Sequence, residues 1–143
     1  MVTKLNSPQI EEHWDDLKDA IRAGVGSGVS LSDDELNNML HKFLRGEGQV
    51  WVGMQDSKIC LVATTFFVYD MGGEVKHLLI YSLYGYSKIA QEVWNDGRNQ
   101  LLSFARGSKC GKVTAFTSIP RVLQVAHDVL GGDINTRYIQ WEV

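Results

Sequence analysis

The chain lacks the marks of most specialised chemistries. It has two cysteines in 143 residues, Cys60 and Cys110, and neither forms a cysteine–histidine set at zinc-ligand spacing. The four histidines, His13, His41, His77 and His127, are scattered, so no metal centre is expected. There is no phosphate-binding P-loop and no Gly-x-Ser-x-Gly elbow. No apolar run approaches the ~20 residues of a membrane helix, and the opening MVTKLNSPQIEEHWDD has no apolar core for a signal peptide. These absences predict a cytoplasmic protein or part of a soluble assembly, with no membrane partner and both thiols reduced. Like charges are not clustered, and the net charge is −3. That argues against general nucleic-acid binding, which needs a basic face to displace counterions.

What is present suits one globular domain over residues 1–143: 44% hydrophobic and 22% charged residues. A short first strand is expected at 2–6. Ser7 and Pro8 then read as a cap and first helical position. Ile10, Trp14, Leu17 and Ile21 form one helical stripe behind them. The glycine-rich stretch 23–28 reads as a flexible connector, because a helix rather than a strand precedes it. Ser32 and Glu35 stand at capping-box spacing before Leu36, Met39, Leu40, Phe43 and Leu44, and Gly46 and Gly48 end that helix.

Three strands follow, at 49–54, 59–69 and 75–84, joined by turns at 55–58 and 70–74. The apolar density of the third suggests burial on both faces. A long helix is expected at 88–107 with Ile89, Val93, Gly97, Leu101, Phe104 and Ala105 on its buried side. A strand at 112–117, a helix from about 118 with Val122, Leu123, Val125, Ala126 and Val129 inside, and a closing strand at 134–143 complete the chain. The junction between the third strand and the long helix is the first place to look for a ligand, because a helix start offers free N–H groups and a positive dipole end.

The order (β)ααβββαβαβ, together with the C-terminal run VTAFTSIPRVLQVAHDVLGGDINTRYIQWEV, resembles the Gcn5-related N-acetyltransferase (GNAT) family, and is similar to small phage-encoded members. The resemblance implies an α/β fold with a splayed central sheet. It implies acetyl-CoA as cofactor and a small-molecule or protein amine as substrate. If Leu101 and Leu102 match the paired leucines after the family's Gln/Arg-x-x-Gly-x-Gly/Ala loop, then Val93, Asp96 and Arg98 occupy its signature positions. Leu83, Gly85, Asn95, Gly97 and Arg98 become the expected cofactor contacts. Here the loop keeps one glycine, and Asp96 sets a negative charge where phosphates would lie. His127 stands where many members carry the tyrosine that protonates the leaving thiolate. Tyr84 and His77 are the further catalytic candidates. Tyr84 and Tyr86 share a face if the strand continues that far. Two functions follow: an acyl-CoA-dependent N-acyltransferase, or a non-catalytic structural or interaction protein of the same fold, phage-encoded and virion-associated, with a homo-oligomeric or virion partner.

Overall fold

The computed structural model describes residues 1–26, 29–115, 117, 120–134, 141 and 143. Among the described residues five strands form one sheet in the order β1 to β5: β1 (Val2–Lys4), β2 (Gly48–Gln55), β3 (Lys58–Tyr69), β4 (Lys76–Gly85) and β5 (Lys112–Ala115). The first four are antiparallel, and β5 runs parallel to β4. That parallel pair requires a crossover, which α4 (Gln91–Gly107) provides.

The remaining helices are α1 (Ser7–Glu12), α2 (Trp14–Gly24), α3 (Asp33–Leu44) and α5 (Pro120–Gln124), the last running into a π-helical turn (Val125–Val129). The stripe expected as one helix is therefore two, interrupted at His13. Asn6 rather than Ser7 caps α1. Its side chain accepts from the Gln9 N–H at 3.0 Å, and Gln9 Oε1 accepts from the Asn6 N–H at 2.8 Å. Ser32 caps α3 as expected, accepting from the Glu35 N–H at 3.1 Å. Gly46, with φ +78°, ends it. The Glu47 N–H then returns to the Lys42 carbonyl.

The period-2 alternation of the strands divides the core in two. On one face Ile10, Leu17, Ile21, Leu36, Met39 and Phe43 pack on Val50, Val52 and Val62. On the other, Val93 of α4 packs with Val2, Trp51, Cys60, Leu61 and Ala63, and Leu101 and Phe104 lie against them. A buried polar chain crosses the sheet beneath α4: Trp51 Nε1 donates to Thr65 Oγ1 at 2.9 Å, and that hydroxyl donates to Gln49 Oε1 at 2.7 Å. Both cysteines are free.

The C-terminal helical segment differs from expectation. No residue of α5 or of the π-helical turn is buried, and Leu123 and Val129 are exposed. An apolar period marks a face suited to burial but does not supply a neighbour for it. The expected strand at 134–143 and its entry at 116–119 fall largely outside the described residues.

Thr65→Val keeps the shape of the side chain and removes its hydroxyl. The Trp51 N–H and Gln49 carbonyl oxygen are then left buried without partners, which costs about 2 kcal/mol. Urea denaturation should show the loss with an unchanged m-value; full retention of stability would contradict this role.

Candidate active site

The site is built from the half of β4 that has no outer strand neighbour among the described residues. β5 pairs with β4 only from His77 to Ile80, through Lys112 to Ala115. From Tyr81 to Gly85 the outer edge of β4 has no strand partner among the described residues. On its inner edge β4 stays paired with β3 throughout. The register there skips a residue: Thr64 faces Ser82, but Thr65 faces Ile80. Tyr81 is therefore the extra residue of a β-bulge, at the point where pairing to β5 ends. Bulges bend a strand and re-aim its side chains.

Alternation in the antiparallel ladder decides which backbone groups turn outwards. The Tyr86 N–H donates to the Cys60 carbonyl at 2.9 Å, so Tyr86 faces β3. Counting back in twos, Tyr84 and Ser82 also face β3. Leu83 and Gly85 therefore direct their N–H and C=O groups to the open side. These two expected cofactor contacts stand on a free strand edge. Pairing through Tyr86 also puts Tyr84 and Tyr86 on one face, with their rings edge-to-face at 4.9 Å. Burial, and then the charges of Tyr84, Asp16 and Asp19, push the Tyr86 phenol above its ordinary range.

One glycine holds this edge in place. A Cβ on Gly24, the last residue of α2, would lie 2.9 to 3.1 Å from the backbone C, N and O of Leu83. Helix and strand meet there at backbone distance. The reading of 23–28 as connector is thus corrected at Gly24, which lies inside α2 and is buried. A glycine in the last turn of an amphipathic helix was the available signal.

The helix end beside this edge is arranged differently from the expectation. α4 begins at Gln91 rather than 88, and its N-cap, Ala90, makes no side-chain cap. Gln55, at the end of β2, instead clasps the entry. Its Oε1 accepts from the Ala90 N–H at 2.9 Å, and its Nε2 donates to the Lys88 carbonyl at 3.1 Å. Sequence reasoning missed Gln55, because nothing local in the sequence links β2 to this loop. Among the described residues, the N–H groups of Gln91 and Glu92 find no acceptor.

The residues expected as further cofactor contacts, Asn95, Gly97 and Arg98, fall on the helix itself. All three lie inside α4, where backbone N–H groups are committed to the helix. Asp96, between them, and Arg98 brace the fold, and Asn95 faces solvent. Asp96 Oδ2 accepts from the Val2 N–H at 2.6 Å, a Cβ on Gly97 would meet Val2 Cγ2 at ordinary contact distance, Arg98 Nε donates to the Leu130 carbonyl at 3.2 Å, and Asn95 is exposed.

The three catalytic candidates are not brought to one point. Tyr84 lies on the free half of β4. His77 lies seven positions back on the same strand, roughly 20 Å away at ~3.3 Å per residue. It is in the paired half, and its Nε2 is buried with no hydrogen-bond partner. His127 is exposed on the π-helical turn, with Nδ1 2.9 Å from Asp128 Oδ1. Among the described residues no group of histidine, cysteine and carboxylate side chains could hold a metal ion, and no helix is long and apolar enough to cross a membrane.

No protein-family model matches the sequence, and no curated protein matches it. Solved structures do match. The aminoglycoside N-acetyltransferase AAC(6')-Iy, in complex with a bisubstrate analogue of CoA, superposes with a TM-score of 0.73 at 17% identity, over 100% of this chain and 97% of that one. A predicted acetyltransferase from Clostridium acetobutylicum, solved with acetyl-CoA, gives 0.70 at 11% identity, over 99% and 95%. The ribosomal-protein-alanine N-acetyltransferase from Brucella melitensis gives 0.67 at 8% identity, over 100% and 99%. The chain has a GNAT-like fold: a mixed α/β architecture on a five-stranded sheet.

Gly24→Ala forces the Leu83 backbone away from α2. Overpacking of this kind costs about 1–3 kcal/mol, against a gain in helix propensity of under about 1 kcal/mol. Thermal denaturation should show a lower midpoint; a raised midpoint would mean that the close approach constrains nothing.

Proposed function

We propose that the protein is an acyl-CoA-dependent N-acyltransferase acting on an amine. The free edge of β4 at Leu83 and Gly85 carries this reading. An extended chain bearing amide groups can add to that edge as a strand would, with donors and acceptors spaced to meet it. The outward N–H and C=O groups of Leu83 and Gly85 are of the kind that the amides of acetyl-CoA would pair with. At the diphosphate end the chain offers the N–H groups of Gln91 and Glu92 and the ammonium of Lys88, in place of the positions at 95–98.

Bound acyl-CoA supplies a thioester whose acyl carbon an amine can attack. The residues of this chain then have three tasks. Leu83 and Gly85 hold the pantetheine arm and fix its register, which converts an encounter in solution into an oriented one. The bulge at Tyr81 sets where the strand edge ends its pairing and so where the reacting group rests. Tyr84, on the same free half, gives its phenolic proton to the departing thiolate. His127 is the second candidate for that acid. His77 is too far from Tyr84 to serve the same centre. Overall, a protonated amine and a thioester yield an amide, a thiol and one proton released to solvent.

A second reading has its own support. Asp96, Arg98 and Gln55 spend their side chains on the fold where a cofactor loop is expected. That suits a non-catalytic structural or interaction protein, including a virion-associated one.

Isothermal titration with acetyl-CoA separates the two. The enzyme reading predicts saturable binding below millimolar concentration, and no heat at millimolar cofactor would exclude it. Tyr84→Phe should lower turnover about 100-fold or more with acetyl-CoA affinity unchanged. An unaffected Tyr84→Phe alongside an inactive His127→Ala would move the acid to His127.

A further inference from the structure

A groove of about 640 Å³ lies on the sheet face opposite α4, between α3 and the paired strands β3 and β4. Its floor is apolar and aromatic: Leu31, Met39, Phe66, Leu79 and Tyr81. Phe66 and Tyr81 meet edge-to-face at 5.6 Å. Behind them Phe66 stacks on Phe43 at 5.3 Å. Such a surface receives an aromatic or branched apolar group, and the volume is that of a small-molecule site.

The rim charges are mixed and divide along α3: Lys42 lies towards Glu47, and Glu35 lies towards Tyr81. Lys76 is committed elsewhere, with its ammonium over the Phe67 ring at 4.0 Å and donating to the Ser108 carbonyl. Glu47 is held by Arg45, the main cause of its lowered pKa, with smaller contributions from Arg45 and Lys42 charges. Glu35 is different. It accepts from the Ser32 hydroxyl at 3.2 Å and has no cationic partner among the described residues. Its carboxylate faces the same groove as the Tyr81 ring. Burial first, and Glu35 second, push the Tyr81 phenol above its usual range, which keeps it a neutral hydroxyl and an electron-rich ring face for a cation.

Tyr81 joins this groove to the strand edge. It is the bulge residue of β4, at the position where pairing to β5 stops. We propose that the groove is the acceptor site and that it selects a primary amine on an apolar body about the size of one aromatic ring, with the ammonium placed between Glu35 and Tyr81. This rests on the acyltransferase reading for the word acceptor. The binding itself does not. Glu35 recognises the cation and is not assigned a proton-transfer role.

The test titrates phenethylamine into the full chain without cofactor. Phenylpropionate supplies the matched anion and spermidine a cation without an apolar body. Glu35→Gln is the variant, because glutamine keeps the hydrogen bond from Ser32 and the spacing of the cap. Saturable binding of phenethylamine is expected, with neither control binding comparably. The variant should weaken the amine about tenfold or more and leave acetyl-CoA affinity unchanged. Equal affinity of wild type and variant, or no amine binding by a chain that binds acetyl-CoA, overturns the groove. Amine binding that depends on Glu35 in a chain that ignores acetyl-CoA keeps the groove and defeats the acyltransferase reading. Failure of both ligands overturns both.

Discussion

The structure depends on how one strand is paired. β4 is bonded along its whole length to β3, and only along its first half to β5. A strand with one satisfied edge and one open edge is ordinarily a hazard, because its free N–H and C=O groups invite any passing chain. Among the described residues the open stretch lies between a bulge and the loop that leads to α4. The antiparallel ladder makes the exposure regular. Leu83 and Gly85 face out because Tyr84 and Tyr86 must face in.

The surrounding elements keep that stretch in position. α2 meets it at backbone distance through Gly24. Leu83 is packed from the other side among the partners of α4. Gln55 fixes the loop that leads away from it. The bracing of α4 is equally specific: Asp96 ties it to β1 and Arg98 ties it to the turn after the π-helix. Arg98 donates to an end carbonyl, where a cation is favourable. These residues occupy the positions that a cofactor loop was expected to fill. α4 itself begins only at Gln91, after the entry that Gln55 clasps.

Much of this was legible in the sequence, and what was not has a physical reason. The sheet and its turns followed from periodicity and punctuation and the GNAT-like fold from resemblance, and β2, β3 and β4 lie within one or two residues of expectation. The start of α4 was misplaced because Ala90 offers no capping side chain, so no sequence signal marks it. The split at His13 was hidden because the apolar stripe runs through it with no change of phase. Leu123 and Val129 were expected in a core, but a pattern of apolar residues does not carry its partner with it. Leu83 and Gly85 were named by resemblance, whereas their unpaired edge among the described residues is a fact about pairing that no local pattern encodes. Gln55 and Gly24 make long-range contacts that no local pattern encodes.

The most direct test of the account is the exchange of two backbone amides. The N–H groups of Leu83 and Gly85 should exchange quickly in the free protein, while their neighbours Ser82 and Tyr84 are protected by β3. Within β4, saturating acetyl-CoA should slow exchange at Leu83 and Gly85 by at least about tenfold as new hydrogen bonds form, and leave Ser82 and Tyr84 unchanged. Protection of both amides in the free protein, or no change on adding the cofactor, would contradict the claim that this strand edge is open and is where acyl-CoA binds.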